Sequence, residues 1–261
     1  MFANLRSLIF KLDPETAHNL AIKSLKFNFV PNVFKNRDNK KLGLLGINIG
    51  PNKDSSDRLN DYLIGLKTFY DDADYITINI SSPNTENLRT FHEGDKLQDL
   101  LKSIMEEKKN LNSNIPIAVK VSPDISKDQV SQISEILLEH EIKAIIVSNT
   151  SEATRDKLGN IQRHQKGGLS GKPIEEKSNI LINEFYKLLK GKIKIIGVGG
   201  VDSGQSAYDK FIAGADFVQL YTGMVFNGPN IAGIIKKELK ELLIRDGVKN
   251  YTEIIGNKTL S

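Results

Sequence analysis

Six short apolar segments alternate with amphipathic helical patterns, and this alternation constrains the fold more than any other feature of the chain. Each segment is rich in Ile or Val and ends in Gly, Ser or Thr. The segments span residues 44–50, 74–81, 116–122, 143–150, 194–200 and 216–223. The clearest helical patterns span residues 97–111, 128–140, 180–189 and 206–213. Such an alternation predicts βαβ units around a parallel sheet.

The number of strands and the positions of polar residues favour different α/β architectures. A doubly wound open sheet is complete with six strands, whereas a TIM-type (β/α)₈ barrel needs eight over about 250 residues. However, polar side chains follow nearly every segment, and an open sheet would concentrate its ligands at one switch point. We therefore expect a (β/α)₈-type barrel that lacks two strand units. Six strands would leave unpaired edges beside segments 44–50 and 216–223.

The positive charge of the chain is concentrated near its start. Residues 1–40 carry seven basic and three acidic side chains, whereas the remaining 221 residues carry 29 of each. This distribution is atypical of a nucleic-acid-binding domain, so we expect no nucleic-acid partner. The sequence predicts three regions. They are two amphipathic helices at residues 1–31, a short linker at 32–41 and the barrel domain at 42–261. The leader is either a basic extension without a partner or a segment that binds an anionic membrane surface.

The absence of cysteine excludes several kinds of chemistry. The chain contains no Cys, so it has no disulfide framework, thiolate metal site, iron–sulfur cluster or cysteine nucleophile. No motif indicates a metal site. No apolar run approaches the roughly 18 residues of a membrane-spanning helix.

Two glycine-containing strand ends, at 197–200 and 221–223, precede helical patterns. They either permit tight turns or direct backbone N–H groups at a phosphate, and the pair together favours a phosphate-bearing cofactor.

Lys120 is the one charge in an apolar strand, so it is either an edge lysine or a cation beside an electron-rich ring. Asn79, Asn84 and Asn149 either cap turns or bind a planar ring that carries amide groups.

Several of these motifs carry a family resemblance. The segment at 79–85, NISSPNT, with Asn87-Leu88-Arg89, resembles the catalytic loop of class 2, quinone-dependent dihydroorotate dehydrogenases. The leader resembles the N-terminal extension that distinguishes class 2. Further segments resemble the family in the same order, and these lie at 45–50, 167–171, 196–200 and 219–223.

The resemblance implies a reaction, a cofactor and a location. It implies oxidation of dihydroorotate to orotate through FMN, in pyrimidine biosynthesis, with a membrane quinone as the electron acceptor. Ser82 would be the catalytic base, where class 1 relatives use cysteine. The protein would be a peripheral membrane protein, at the cytoplasmic face of a bacterial inner membrane.

Residue by residue, the resemblance also implies a binding site. The residues in contact with FMN would be Asn48, Asn79, Lys120, Ser148, Gly171, Gly200, Tyr221 and Thr222, with the last four at its phosphate end. The residues in contact with the substrate would be Asn79, Asn84, Asn149 and Thr150.

One departure from the family is large. The family has two further strands between its leader and the strand that matches residues 45–50, and they carry a substrate lysine and a substrate loop. Here Asn36 is followed almost directly by Leu42, and neither motif occurs. A natural deletion, a defective gene copy and a sequence error all remain open.

Three functions therefore remain. The first is a quinone-dependent dihydroorotate dehydrogenase, whether or not the missing segment impairs it. The second is a catalytically inactive remnant of that family. The third is another phosphate-binding barrel, such as a sugar-phosphate isomerase, which explains the glycines at 197–200 but not the asparagines at 79–84.

Overall fold

A computed structural model describes most of the chain after residue 42. The described residues are 43–52, 54–83, 85, 87–153, 155–156, 158–159, 161–165 and 167–257. The predicted leader helices at 1–31, the linker at 32–41 and Asn84 lie outside them. No helix in the described ranges is long and apolar enough to cross a bilayer.

The described strands form one parallel sheet whose spatial order follows the chain. The strands are β1 (Gly46–Ile49), β2 (Tyr75–Asn79), β3 (Ile117–Val121), β4 (Ala144–Val147), β5 (Lys194–Val198) and β6 (Phe217–Gln219). Each strand pairs with the next one along the chain. A doubly wound sheet would reverse its strand order at a switch point. The sequential order, without such a reversal, confirms barrel-type winding with six strands.

Helices follow each of the six strands. They are α1 (Arg58–Phe69), α2 (Gly94–Asn110), α3 (Lys127–Glu139), α4 (Glu175–Leu189), α5 (Gly204–Ala213), α6 (Thr222–Asn227) and α7 (Ile231–Arg245). Capping boxes fix two of the starts, with Ser126 and Gln129 before α3 and Ser203 and Ser206 before α5. Gly214, at φ 118°, ends α5 in the left-handed conformation that glycine adopts most readily.

The strands are apolar on both faces. On the outer face, Ile76 and Ile78 of β2 are fully buried in the main hydrophobic core, which also contains Leu97 and Leu101 of α2. The inner face carries a smaller cluster around Ala118, Ile146 and Ile196, one residue each from β3, β4 and β5. Burial on both faces explains why these segments read as continuous apolar runs rather than as alternating patterns.

The sheet curves towards a barrel but leaves its edges open. Gln219 of β6 donates a hydrogen bond from Nε2 to the hydroxyl of Tyr75 of β2 at 3.2 Å. In the described chain, β1 pairs only with β2 and β6 only with β5. The flanking Leu44 is 83% exposed and Phe217 is 52% exposed. Within the described residues, the six strands thus form a partial barrel with two free edges, as the missing strand units predict.

Candidate functional site

A cleft lies at the carboxyl ends of β3, β4, β5 and β6. It encloses about 550 Å³ of unfilled space, including solvent at its mouth. Eight of the site residues predicted from the sequence line it: Lys120, Ser148, Asn149, Thr150, Gly171, Gly200, Tyr221 and Thr222. In barrels of this type, the loops at this face build the site.

Lys120 is the cation of this cleft. It lies near the end of β3, in register with Asn79 of β2. Burial lowers the pKa of its ammonium group. No carboxylate among the described residues forms an ion pair with it. Because a half-buried cation without a partner costs free energy, its position suits an anionic or electron-rich ligand.

Glycines with positive φ form the other end of the cleft. Gly171, Gly199 and Gly200 have φ values of 77°, 111° and 83°. A Cβ on Gly200 would lie 2.3 Å from the Cβ of Glu175, so packing as well as backbone conformation requires glycine there. A Gly200→Val variant would therefore disturb the fold itself. It would not report on phosphate binding alone.

A second polar cluster joins the ends of β2 and β4. The Oδ1 of Asn79 accepts a hydrogen bond from the Ser81 hydroxyl at 2.7 Å. The side-chain amide of Asn149 donates to the Ser81 hydroxyl at 3.0 Å. The structure thus brings together Asn79 and Asn149, two of the three predicted substrate asparagines. Asn149 also lines the cleft, whereas Asn79 lies beside it.

Ser82 and Asn48 also lie outside the cleft of Lys120. Ser82 is half-buried and lines a neighbouring cleft with Pro83, Thr85 and Arg89. Asn48 is exposed on the edge strand β1, in register with Thr77 of β2. The structure therefore does not bring the predicted base into one cavity with the cleft lysine.

Arg89 ties together the loops that follow β2, β3 and β4. Its Nη1 lies 3.0 Å from Oδ2 of Asp124 and 2.7 Å from Oε2 of Glu152. Its Nη2 donates to the carbonyl oxygen of Thr150 at 3.0 Å, and its Nε donates to that of Ser81 at 3.4 Å. The residues next to Ser82 and Asn149 are thus anchored to one guanidinium group.

Asp124 is the second anchor of these loops. Burial raises the pKa of its carboxyl group, but hydrogen bonds from Lys177 and Ser151 outweigh that effect and hold the pKa below its usual value. The Ser151 hydroxyl donates to Oδ1 at 2.6 Å. Lys177 of α4 also forms an ion pair with this carboxylate. The sequence gives no signal for these contacts, because the residues joined by the ion pairs and by the Ser151 hydrogen bond are 27 to 63 positions apart.

His92 is neutral at pH 7 and joins two loops. Its Nδ1 lies 2.8 Å from the carbonyl oxygen of Arg89, and its Nε2 accepts from the N–H of Ser122 at 3.1 Å. Burial lowers its pKa to about 4. Both ring nitrogens are used within the protein, so His92 supports the loops rather than acting as a base.

Comparison with known proteins identifies relatives of the chain. A family model described as dihydroorotate dehydrogenase matches residues 24–243. A dihydroorotate dehydrogenase (quinone) from Bartonella tribocorum is 44% identical over 219 residues, which are 82% of this chain and 61% of that protein. One from Parvibaculum lavamentivorans is 35% identical over 97% of this chain and 72% of its own length.

Solved structures show the same likeness. The crystal structure of DHODH from Eimeria tenella in complex with ferulenol has a TM-score of 0.81 and 32% identity, over 84% of this chain and 63% of that one. The chain spans about three fifths of the length of the Bartonella relative. The family match and the shared fold together show that the chain belongs to the dihydroorotate dehydrogenase family.

Proposed function

We propose that the chain binds FMN, the cofactor of this family, and oxidises dihydroorotate to orotate with a quinone as acceptor. The observation that carries the proposal is the convergence of an unpaired lysine, polar strand ends and a glycine-lined end in one cleft. Bound FMN would supply the acceptor for the hydrogen that leaves the substrate as hydride. The other steps depend on residues of the chain.

The donor groups of the cleft fit the two ends of a flavin mononucleotide. Gly171, Gly200, Tyr221 and Thr222 would hold the phosphate end, where positive φ values permit close approach of the backbone. Lys120 would place its ammonium group beside the electron-rich part of the ring, with Ser148 near it. Two further predicted cofactor residues, Asn48 and Asn79, would add contacts from β1 and β2.

The polar cluster between β2 and β4 would hold the substrate. Asn79, Asn149 and Thr150, with Asn84, would bind its ring amide and carboxylate groups. Ser82 would take the proton from the substrate carbon while its own hydroxyl proton passes to solvent water, so that the hydroxyl is regenerated. Since an unassisted hydroxyl is a weak base, Ser82 needs a fixed position, and Arg89 supplies it by anchoring the adjacent Ser81 carbonyl.

The quinone would reach the flavin through the amphipathic leader at residues 1–31. Its basic charge suits a peripheral position on an anionic membrane, at the cytoplasmic face of a bacterial inner membrane. Both curated relatives described above are named as quinone-dependent enzymes, which supports the choice of quinone as the acceptor. Binding to anionic vesicles that is weakened by salt and lost on deletion of residues 1–30 would test this part of the proposal.

The open edges of the sheet favour a second candidate, a flavin-binding protein without turnover. Strands β1 and β6 lack outer partners in the described chain, and the sequence lacks the family's substrate lysine. Anaerobic mixing of the FMN-loaded chain with dihydroorotate separates the two candidates. Bleaching of the flavin absorbance, at a lower rate than in a full-length relative, supports the enzyme. Flavin that binds but is never bleached supports the second candidate.

A further inference from the structure

Lys210 of α5 is a fully buried cation whose role the proposed function does not explain. Its exposed fraction is 0%. Its ammonium group donates to the hydroxyl of Ser178 at 3.1 Å and to Oδ1 of Asn179 at 2.9 Å. No carboxylate in the described chain forms an ion pair with it. Such burial is costly, so a local function is needed to account for it.

The lysine contacts the strand that forms the floor of the cleft. A Cβ on Gly197 of β5 would lie 2.9 Å from Cδ of Lys210, so glycine at this position leaves room for the lysine stem. The Ser178 hydroxyl, which accepts from Lys210, donates to the carbonyl oxygen of Val198 at 2.6 Å. The N–H of Ser148 in the β4 loop donates to the same oxygen at 3.1 Å. The last carbonyl of β5 is therefore fixed by two donors, the Ser178 hydroxyl and the Ser148 N–H, and the first of these accepts a hydrogen bond from the Lys210 ammonium group.

This carbonyl determines where the next backbone N–H points. The peptide bond from Val198 to Gly199 is trans, so the N–H of Gly199 points opposite to the Val198 carbonyl. The carbonyl points towards β4, and β6 lies on the other side of β5. The N–H of Gly199 is thus directed towards the β6 side, where Tyr221 and Thr222 line the cleft.

We propose that Lys210 is a positioning residue for the cofactor phosphate: through Ser178 it fixes the Val198 carbonyl and so presents the Gly199 N–H to an anion. The inference rests on the proposed function for the presence of that phosphate. It assigns no contact between Lys210 itself and the ligand.

Two flavins that differ only in the phosphate test this role. The dissociation constants of FMN and riboflavin are measured for the full chain and for Ser178→Ala, which removes the hydroxyl between Lys210 and Val198. We expect Ser178→Ala to weaken FMN binding about tenfold, because the Gly199 N–H is no longer held in place for the phosphate. Riboflavin has no phosphate, so its binding should change by less than about twofold. Asn179→Ala is the matched control, since it removes the other acceptor of Lys210 but has no hydrogen bond to the cleft floor. It should change neither constant.

Lys210→Met is the second variant, with circular dichroism to check its folding. It should reproduce the selective loss of FMN binding. The wild-type preference for FMN over riboflavin should also fall as the pH rises through about 8, since burial lowers the pKa of Lys210 to about 8. Glu175 and Asp209 raise that pKa and Lys172 lowers it. A folded Lys210→Met chain should lack this pH dependence.

The outcomes separate the inference from the proposed function. Three results would overturn the role of Lys210 alone. They are an equal loss of FMN and riboflavin binding in Ser178→Ala, equal effects of Ser178→Ala and Asn179→Ala, and unchanged FMN binding in Ser178→Ala. A wild-type chain that binds neither flavin would overturn the proposed cofactor and this inference together.

Discussion

At the scale of single residues, the role of Ser82 as the proposed base can be tested most directly. Ser82→Ala should leave FMN binding unchanged and slow flavin bleaching by dihydroorotate about 10²–10⁴-fold, because a positioned base contributes about that much. The bleaching rate under anaerobic mixing measures the effect. Thr85→Ala, in the same neighbouring cleft, is the control and should retain the wild-type rate. A Ser82→Ala chain that bleaches at the wild-type rate would show that Ser82 is not the base.

The low pKa of His92 predicts that the folded chain loses stability in acid. Its pKa is about 4 in the folded chain and ordinarily 6.5, so the folded state binds fewer protons than the unfolded state between these values. The free energy of unfolding should therefore rise with pH across this window, and about 3 kcal/mol should be lost as the pH falls from 6.5 to 4.

Urea unfolding across this pH range checks the prediction. The pH dependence should shrink in His92→Asn, which removes the titrating ring. It should persist in His164→Gln, which alters an exposed histidine. An identical pH dependence in wild type and His92→Asn would assign the effect to other groups.

The sequence predicts the position of a candidate site residue where that residue lies at the end of a strand. Lys120, Ser148 and Asn149 could be assigned because the carboxyl ends of parallel strands meet at one edge of a sheet. Arg89 and Lys210 received no role from the sequence, since their partners are distant along the chain. Ser82 was assigned by resemblance, and its separation from the cleft of Lys120 depends on the loop conformation.

At the scale of elements, the Arg89 network joins loops that have little other regular structure. Arg89→Met should lower the free energy of unfolding by about 2–3 kcal/mol, since it leaves the partly buried Asp124 without one of its partners. Arg89→Lys should recover only part of this loss, because lysine lacks the planar group that reaches several acceptors.

Chemical denaturation measures both Arg89 variants. Lys96→Met is the control, since the ion pair of Lys96 with Glu93 is solvent-exposed and such pairs contribute little. An Arg89→Met loss no larger than that of Lys96→Met would contradict the anchoring role.

The four helices predicted from periodicity are all present, with starts up to five residues earlier than expected. Helix α4 begins at Glu175 rather than 180, because its first turn carries polar residues that apolar spacing does not reveal. Periodicity gives no bounds for helices α1, α6 and α7, although a helical pattern is expected after the strand end at 221–223, where α6 lies. In α7, Ile234 and Ile244 are exposed, so the apolar residues do not form a single stripe on one face of the helix. The helix is stabilised instead by its packing against α5.

At the scale of the whole molecule, the alternating pattern predicted the strand number and the parallel order. It could not show how far six strands curve, because curvature depends on contacts between distant strands. The hydrogen bond between Tyr75 and Gln219 is such a contact, across 144 residues. The sheet thus keeps the curvature of a barrel without closing.

The open edges predict self-association. The edge residue Phe217 is 52% exposed, and no strand among the described residues pairs with the outer side of β6. Phe217→Glu should therefore reduce concentration-dependent association, measured by sedimentation velocity. Ile180→Glu changes an exposed apolar residue of α4 that lies away from this edge, and it should have no such effect. A wild-type chain that stays monomeric at all concentrations would contradict the prediction.

Equilibrium titration of the 261-residue chain with FMN, followed by flavin fluorescence, tests the central claim that this partial barrel retains a flavin site around Lys120. We expect saturable binding of one FMN per chain. Binding should be about tenfold weaker in Lys120→Met, which removes the unpaired cation of the cleft, and unchanged in Lys127→Met, which removes an exposed one. The absence of saturable binding, or equal affinities in the two lysine variants, would contradict it.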